Sequence, residues 1–152
     1  MTQASDIRDN EVAVQAPTPS DAALTYIGRI HTPWQTRKEC PRQGDSEDGP
    51  VCELEIFEPW VAALEGVEEL ERIQVLYWLH EARRDLVKQS PGNTGMTKGT
   101  FAIRSPVRPN PIGISVVTLV ARNGNRLQVR GLDCLDGTPL LDLKPERCPH
   151  KR

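Results

Sequence analysis

Twelve consecutive residues constrain this chain more than any other stretch: Arg104-Ser105-Pro106-Val107-Arg108-Pro109-Asn110-Pro111-Ile112-Gly113-Ile114-Ser115 sets three prolines and two arginines between two apolar segments. Each proline locks its own φ at about −65° and pushes the preceding residue, here Ser105, Arg108 and Asn110, out of the α region. Most of the backbone freedom is gone before folding, so ordering the loop costs little. Prolines donate no backbone N–H, and polar recognition by this loop therefore falls to its carbonyls and to the side chains of Arg104, Ser105, Arg108 and Asn110. The plain alternative is a structural corner between strands.

Around this loop the hydrophobic pattern is that of short strands. Residues 24–30 are apolar, and in 51–57 Cys52, Leu54 and Ile56 alternate with Glu53 and Glu55, which predicts one wet face. In 72–79, Ile73, Val75, Tyr77 and Leu79 share one face while Leu76 and Trp78 occupy the other, placing this strand near the centre. Residues 100–104 enter the proline loop as a strand and 114–120 leave it as another. Asn123-Gly124-Asn125 is a hairpin signal returning through Leu127, Val129 and Leu132, and a turn at 133–138 precedes a last strand with Leu140, Leu141 and Leu143. Residues 58–66, with Pro59 in the first turn and Gly66 at the stop, predict a helix of about two turns that leans Trp60 and Leu64 on the sheet.

The polar stretch 80–98, broken by Ser90-Pro91-Gly92-Asn93, reads as a long excursion outside the core. Residues 1–22, with Pro17 and Pro19 and no apolar period, read as a disordered lead-in, leaving 23–146 as the folded domain and 147–152 as a tail. Seven short strands, one helix and no βαβ spacing predict a mainly β fold: a seven-stranded barrel with a short helix and long loops. No G-x-G-x-x-G follows a first strand and there is no P-loop, so a Rossmann cofactor site is not expected.

Composition narrows the function classes. A net charge of −2 and a pI of about 5.9 argue against a general nucleic-acid coat. The totals conceal a division, since Asp45 to Glu71 carries ten acidic residues and no Lys or Arg, whereas His80 to Arg108 carries six basic residues against Glu81 and Asp85. Cys40, Cys52, Cys134 and Cys148 show no C-x-x-C spacing and no signal segment opens the chain, which predicts a cytoplasmic protein with reduced thiols and no metal site. No apolar run approaches the roughly 18 residues of a membrane helix.

Three further segments can carry chemistry. Cys40-Pro41-Arg42-Gln43-Gly44 presents a cation and an amide on a backbone stiffened by Pro41, though a solvent turn has the same composition. His80-Glu81 follows the central strand, where a carboxylate raises the basicity of an imidazole, although a polar cap looks alike. Asp133 and Asp136 flank a Gly-Thr turn, which serves equally for a hairpin connection or for receiving ligand donors. No serine is surrounded by nucleophile-elbow glycines.

Taken together, Ile27-Gly28-Arg29-Ile30-His31-Thr32-Pro33, Pro41-Arg42-Gln43, the strand end Trp78 to Glu81, the proline run, and the run from Asp136 to Pro145 resemble the TsaA-like, TrmO family of β-barrel methyltransferases. Its characterised bacterial members use S-adenosylmethionine to N6-methylate threonylcarbamoyladenosine in tRNA, next to the anticodon. The resemblance implies a seven-stranded barrel, a homodimer, a tRNA anticodon loop as substrate, and no DNA or membrane partner. It implies cofactor contacts at Pro41, Arg42, Gln43, His80, Glu81, Arg104, Ile114, Asp133, Cys134, Leu135, Asp136 and Gly137. A sulfonium cation with an adenine ring suits such a set, because it needs carboxylates, backbone edges and an apolar wall.

Two departures from the best-known members are expected: absence of their added C-terminal domain, and a different excursion at 82–89. The expected chemistry is a single in-line methyl displacement in which the protein aligns donor and acceptor, with His80 or Asp136 as the base. Arg83, Arg84 and Lys88 are expected to contact anticodon-loop phosphates. A small-metabolite acceptor and a non-catalytic S-adenosylmethionine-binding module are the alternatives.

Overall fold

Alternation of buried and half-exposed residues along the strands dictates the architecture. In this computed structural model, residues 7–147 are described. They form two units, residues 24–78 with 113–147 and residues 7–23 with 79–112. The first is a closed barrel of β2 (Gly28–His31), β3 (Cys52–Ile56), β4 (Arg72–Trp78), β7 (Ile112–Asn123), β8 (Arg126–Arg130) and β9 (Thr138–Pro145), in the order β2-β3-β8-β7-β4-β9. The second carries a three-stranded sheet of β1 (Val12–Ala13), β5 (Leu86–Gln89) and β6 (Lys98–Gly99), in the order β1-β5-β6.

The barrel interior is filled by the residues that the period of two selects. Ile30, Cys52, Leu54, Ile56, Ile73, Val75, Tyr77, Val117, Leu127, Val129 and Leu140 are all buried. The hairpin between β7 and β8 turns at Gly124-Asn125, with Gly124 at φ 62°, the arrangement in which glycine opens a two-residue turn. Gly28 lies between β3 and β9 with no room for a Cβ against the carbonyl of Glu55, so only glycine permits this pairing.

The barrel has six strands rather than seven. Residues 100–104 do not form a strand; Thr100–Ala102 is a single 3₁₀ turn. The turn is held by its first side chain. The buried Thr100 hydroxyl donates to the Leu86 carbonyl at 2.7 Å and accepts from the Gln89 amide at 3.0 Å. The two-turn helix expected at 58–66 is a 3₁₀ turn at Val61–Leu64, then another at Val67–Glu69 after Gly66 at φ 87°. Leu64 is buried, but Trp60 is exposed rather than laid on the sheet.

The lead-in and the excursion also differ from expectation. Within residues 1–22, Val12 and Ala13 pair with Lys88 and Leu86, so part of the segment read as disordered is a strand. Around it the Arg8 guanidinium donates to the Ser90 carbonyl at 2.9 Å and the Ser90 N–H donates to Glu11 at 2.8 Å. Two residues have no readable period, and these partners lie in the excursion, beyond any local window. Cys148, like residues 148–152 of the expected tail, lies outside the described residues. Among the described residues no helix is long and apolar enough to cross a membrane.

Gly28→Ala is expected to destabilise the barrel by roughly 1–3 kcal/mol in chemical denaturation, because the added methyl meets backbone that two pairings hold in place. Thr100→Val keeps the shape but strips two buried partners, at about 2 kcal/mol. Its effect is expected as faster amide exchange over residues 86–107, with the amides of β3 and β8 unchanged.

Candidate functional site

Antiparallel pairing decides which side chains can meet. His31 pairs with Glu53, Ile30 with Thr138, and Tyr77 with Leu140, while β7 and β8 join at their opposite end through Asn123 and Arg126. The C-terminal ends of β2, β4 and β8 and the N-terminal ends of β3, β7 and β9 therefore share one end of the barrel. The loops at 32–51 and 131–137 emerge there.

The 133–137 loop is pinned from several sides. The Asp136 N–H donates to the Trp34 carbonyl at 2.8 Å and the Gly137 N–H to the Ile30 carbonyl at 2.8 Å. The Thr32 hydroxyl donates to the Cys134 carbonyl at 2.8 Å, and the Thr138 hydroxyl to the Leu135 carbonyl at 2.6 Å. Gly137 sits at φ 83°, where an L side chain is strained. Both Asp136 carboxylate oxygens are engaged, one by the Thr32 N–H at 3.1 Å and the other by the Gln35 amide at 3.3 Å. His31 lies alongside, Nδ1 3.8 Å from Asp136 and Nε2 2.7 Å from Glu55. The His31 contact, with Arg126 adding its charge, holds the Glu55 carboxyl below the usual carboxylate range.

A close backbone approach brings the second loop alongside. Gly44 has no room for a Cβ against the Gly131 carbonyl, and Gly131 itself sits at φ 120°. This contact sets Pro41, Arg42 and Gln43 at the same barrel end as the 133–137 loop, with Arg42 and Gln43 exposed. Burial, then the charge of Asp133, raises the Cys40 thiol above its ordinary value. The Cys134 thiol, buried in the wall, is pushed up to about 12 by desolvation and stays protonated. Its polar contacts are already taken, the thiol by the Thr138 hydroxyl and the carbonyl by Thr32.

Asp133 is half-buried and accepts a hydrogen bond from the Tyr77 hydroxyl at 3.0 Å, and that hydroxyl lies 2.8 Å from Ser115 Oγ. Ile114, one residue before Ser115, is exposed and presents an apolar surface.

The other unit holds the proline run as far as Ile112. Its donor shortage is met by side chains. Arg108 folds back to donate to the carbonyls of Ile103 at 2.7 Å and Ser105 at 3.2 Å. Gln89 donates to the Val107 carbonyl at 2.8 Å, Arg84 to the Pro109 carbonyl at 2.6 Å and to the Asn110 side chain at 3.1 Å. The Leu79 N–H reaches the Pro111 carbonyl at 2.8 Å. Arg108 thus ties down the residues on both sides of Arg104, whose own side chain is exposed. His80 and Glu81 are exposed in a turn closed by the Ala82 N–H on the Leu79 carbonyl at 3.0 Å.

Pro41, Arg42, Gln43, Ile114 and residues 133–137 thus gather at one barrel end, while His80, Glu81 and Arg104 belong to the other unit. Arg83 is turned onto Asp85 through Nε at 2.7 Å and Nη2 at 2.9 Å, so it serves the excursion's own structure. Sequence reasoning passed over Tyr77, Ser115, His31 and Glu55. The signal for Tyr77 was a phenol at the end of the aliphatic face Ile73-Val75, since a buried tyrosine hydroxyl finds a partner.

VirR of Rhizobium radiobacter is 57% identical over 141 residues, spanning 93% of this chain and 80% of its own. A protein of Archaeoglobus fulgidus named an S-adenosyl-L-methionine-binding protein is 43% identical over 121 residues, 80% of this chain and 86% of its own. The crystal structure of TrmO from Pseudomonas aeruginosa superposes with a TM-score of 0.68 at 32% identity, covering 89% of this chain and 61% of that one. A second TrmO crystal structure gives 0.69 at 34% identity, over 88% and 63%. The chain therefore spans about three-fifths of these TrmO structures. Residues 29–147 match the tRNA-methyltransferase O N-terminal domain, and with the six-stranded barrel and its loop cluster this makes the chain a member of that family.

Proposed function

We propose that the chain is an S-adenosylmethionine-dependent methyltransferase whose acceptor is the N6 nitrogen of threonylcarbamoyladenosine in tRNA, next to the anticodon. The observation that carries this reading is the gathering of Pro41–Gln43, Ile114 and the pinned 133–137 loop at one barrel end, in a member of this family. The name of the Archaeoglobus relative supports the cofactor.

The residues fit that group. Asp133 is a half-buried carboxylate suited to a cation, Ile114 an exposed apolar wall, and the loop carbonyls offer edges to an adenine ring. When bound, S-adenosylmethionine supplies a methyl group on a sulfonium sulfur that departs as a neutral thioether. The chain's own part is alignment and charge. Asp133 would hold a cationic centre, Arg42 would hold a carboxylate, and the pinned backbone of 134–137 keeps the geometry fixed before binding. Asp136 is committed through both oxygens to the Thr32 and Gln35 turn, which favours fixing the loop over moving a proton. For the RNA, Lys88, Lys98 and Arg104 are the exposed cations of that unit left to make contacts, because Arg8, Arg83 and Arg84 are engaged within it.

A second reading, a cofactor-binding module without transfer, or with a small metabolite as acceptor, is favoured by that internal use of Arg83 and Arg84. RNA binding separates the readings, since affinity for tRNA falls steeply with salt and turnover of a small acceptor does not.

Calorimetric titration with S-adenosylmethionine is expected to show binding that weakens about tenfold or more in Arg42→Ala, the loss of a charged hydrogen bond, with the melting temperature unchanged. Undiminished affinity removes Arg42 from the site. Mass analysis of tRNA nucleosides from a strain lacking the protein is expected to show loss of N6-methylated threonylcarbamoyladenosine. An unchanged level refutes the tRNA acceptor.

A further inference from the structure

The inward face of β4 runs Ile73, Val75, Tyr77, and its last member brings a polar atom into an apolar interior. Tyr77 is 4% exposed. Its ring lies against Gly113 so closely that a Cβ there would overlap it, so β7 offers the ring bare backbone and fixes where the hydroxyl sits. That hydroxyl has one hydrogen and two oxygen neighbours, Ser115 Oγ at 2.8 Å and Asp133 Oδ1 at 3.0 Å. An ionised carboxylate accepts only, so Tyr77 donates to Asp133 and Ser115 donates to Tyr77. Burial, reinforced by the negative charge of Asp133, raises the phenol far above its ordinary value and keeps it protonated.

The three residues come from β4, from β7 and from the segment after β8, which are consecutive around the barrel wall. The result is a directed chain of donors ending on a half-buried carboxylate at the barrel end where the loops gather. A hydrogen bond spent only on core stability would need no carboxylate at its end. Buried polar groups satisfied in series hold their last member in one orientation.

We propose that Tyr77 and Ser115 are positioning residues that hold the Asp133 carboxylate as the counter-charge for a cationic centre of the bound cofactor, its sulfonium or its α-ammonium. This rests on the assignment of S-adenosylmethionine to the site.

The test is a double-mutant cycle in the full chain. Affinities for S-adenosylmethionine and for its neutral-sulfur product S-adenosylhomocysteine are measured by calorimetry for the wild type, Tyr77→Phe, Asp133→Asn and the double variant. Tyr77→Phe is expected to weaken S-adenosylmethionine binding about tenfold, the loss of one hydrogen bond to a charged group, and to add nothing once Asp133→Asn is present. A larger loss for S-adenosylmethionine than for the product assigns the sulfonium; equal losses assign the ammonium. Ser115→Ala, which leaves the Tyr77 to Asp133 bond in place, is expected to cost a few-fold and covers the case in which Tyr77→Phe does not fold. Full additivity of Tyr77→Phe with Asp133→Asn, or wild-type affinity in both Tyr77→Phe and Ser115→Ala, overturns the proposal. Unchanged affinity in Asp133→Asn, with binding still lost in Arg42→Ala, overturns it too but spares the cofactor reading. Absence of binding in the wild type defeats that reading first.

Discussion

β9 pairs with β2 along one edge and with β4 along the other, and through these two ladders the sheet closes on itself. Closure removes free edges from the barrel and sets every strand end against fixed neighbours. The turn that ends in β9 inherits that fixity: Gly137 and Asp136 donate to backbone on either side of Thr32, and Thr32 donates back to Cys134. Residues 133–137 are therefore less a flexible loop than an extension of the barrel wall. A cofactor site built there needs little rearrangement to bind, which leaves more of the gross interaction as affinity.

The proline run solves a different problem. Prolines 106, 109 and 111 remove backbone donors, and a stretch without donors leaves carbonyls to be met from elsewhere. Side chains meet them: Arg108 serves Ile103 and Ser105, Gln89 serves Val107, and Arg84 serves Pro109. Three of the cations or amides that look free in the sequence are consumed in this way. The run reads as a recognition loop because of its arginines, yet one of its own two is structural and only Arg104 stays exposed.

Much of the barrel was legible because burial on one face writes a period of two into the sequence. Cys52, Leu54 and Ile56 stand inside, and Glu53 and Glu55 are half-exposed. The Gly124-Asn125 turn was legible because positive φ selects glycine. Residues 100–104 were misread as a strand because the determinant of the Thr100–Ala102 turn is one buried hydroxyl shared by Leu86 and Gln89, a tertiary contact with no local signature. The site divides similarly. Asp133 and Asp136 look equivalent in sequence, three residues apart, but one is bound by a phenol from β4 and the other by a neighbouring turn. Register across strands, which no single-strand pattern encodes, makes that distinction.

β1 has its partner far downstream: Val12 pairs with Lys88, and Arg8 and Glu11 with Ser90. β1 thus waits for some seventy residues, including three barrel strands, before its ladder exists. Closing so long a loop gains only a two-residue ladder and a few polar contacts, so β1 adds late, onto β5 already present. Until then β5 carries an open edge whose N–H and C=O groups face water or another chain. The N-terminal segment acts as the built-in cover of that edge, and its attachment sets how long the nascent protein remains open to intermolecular strand addition.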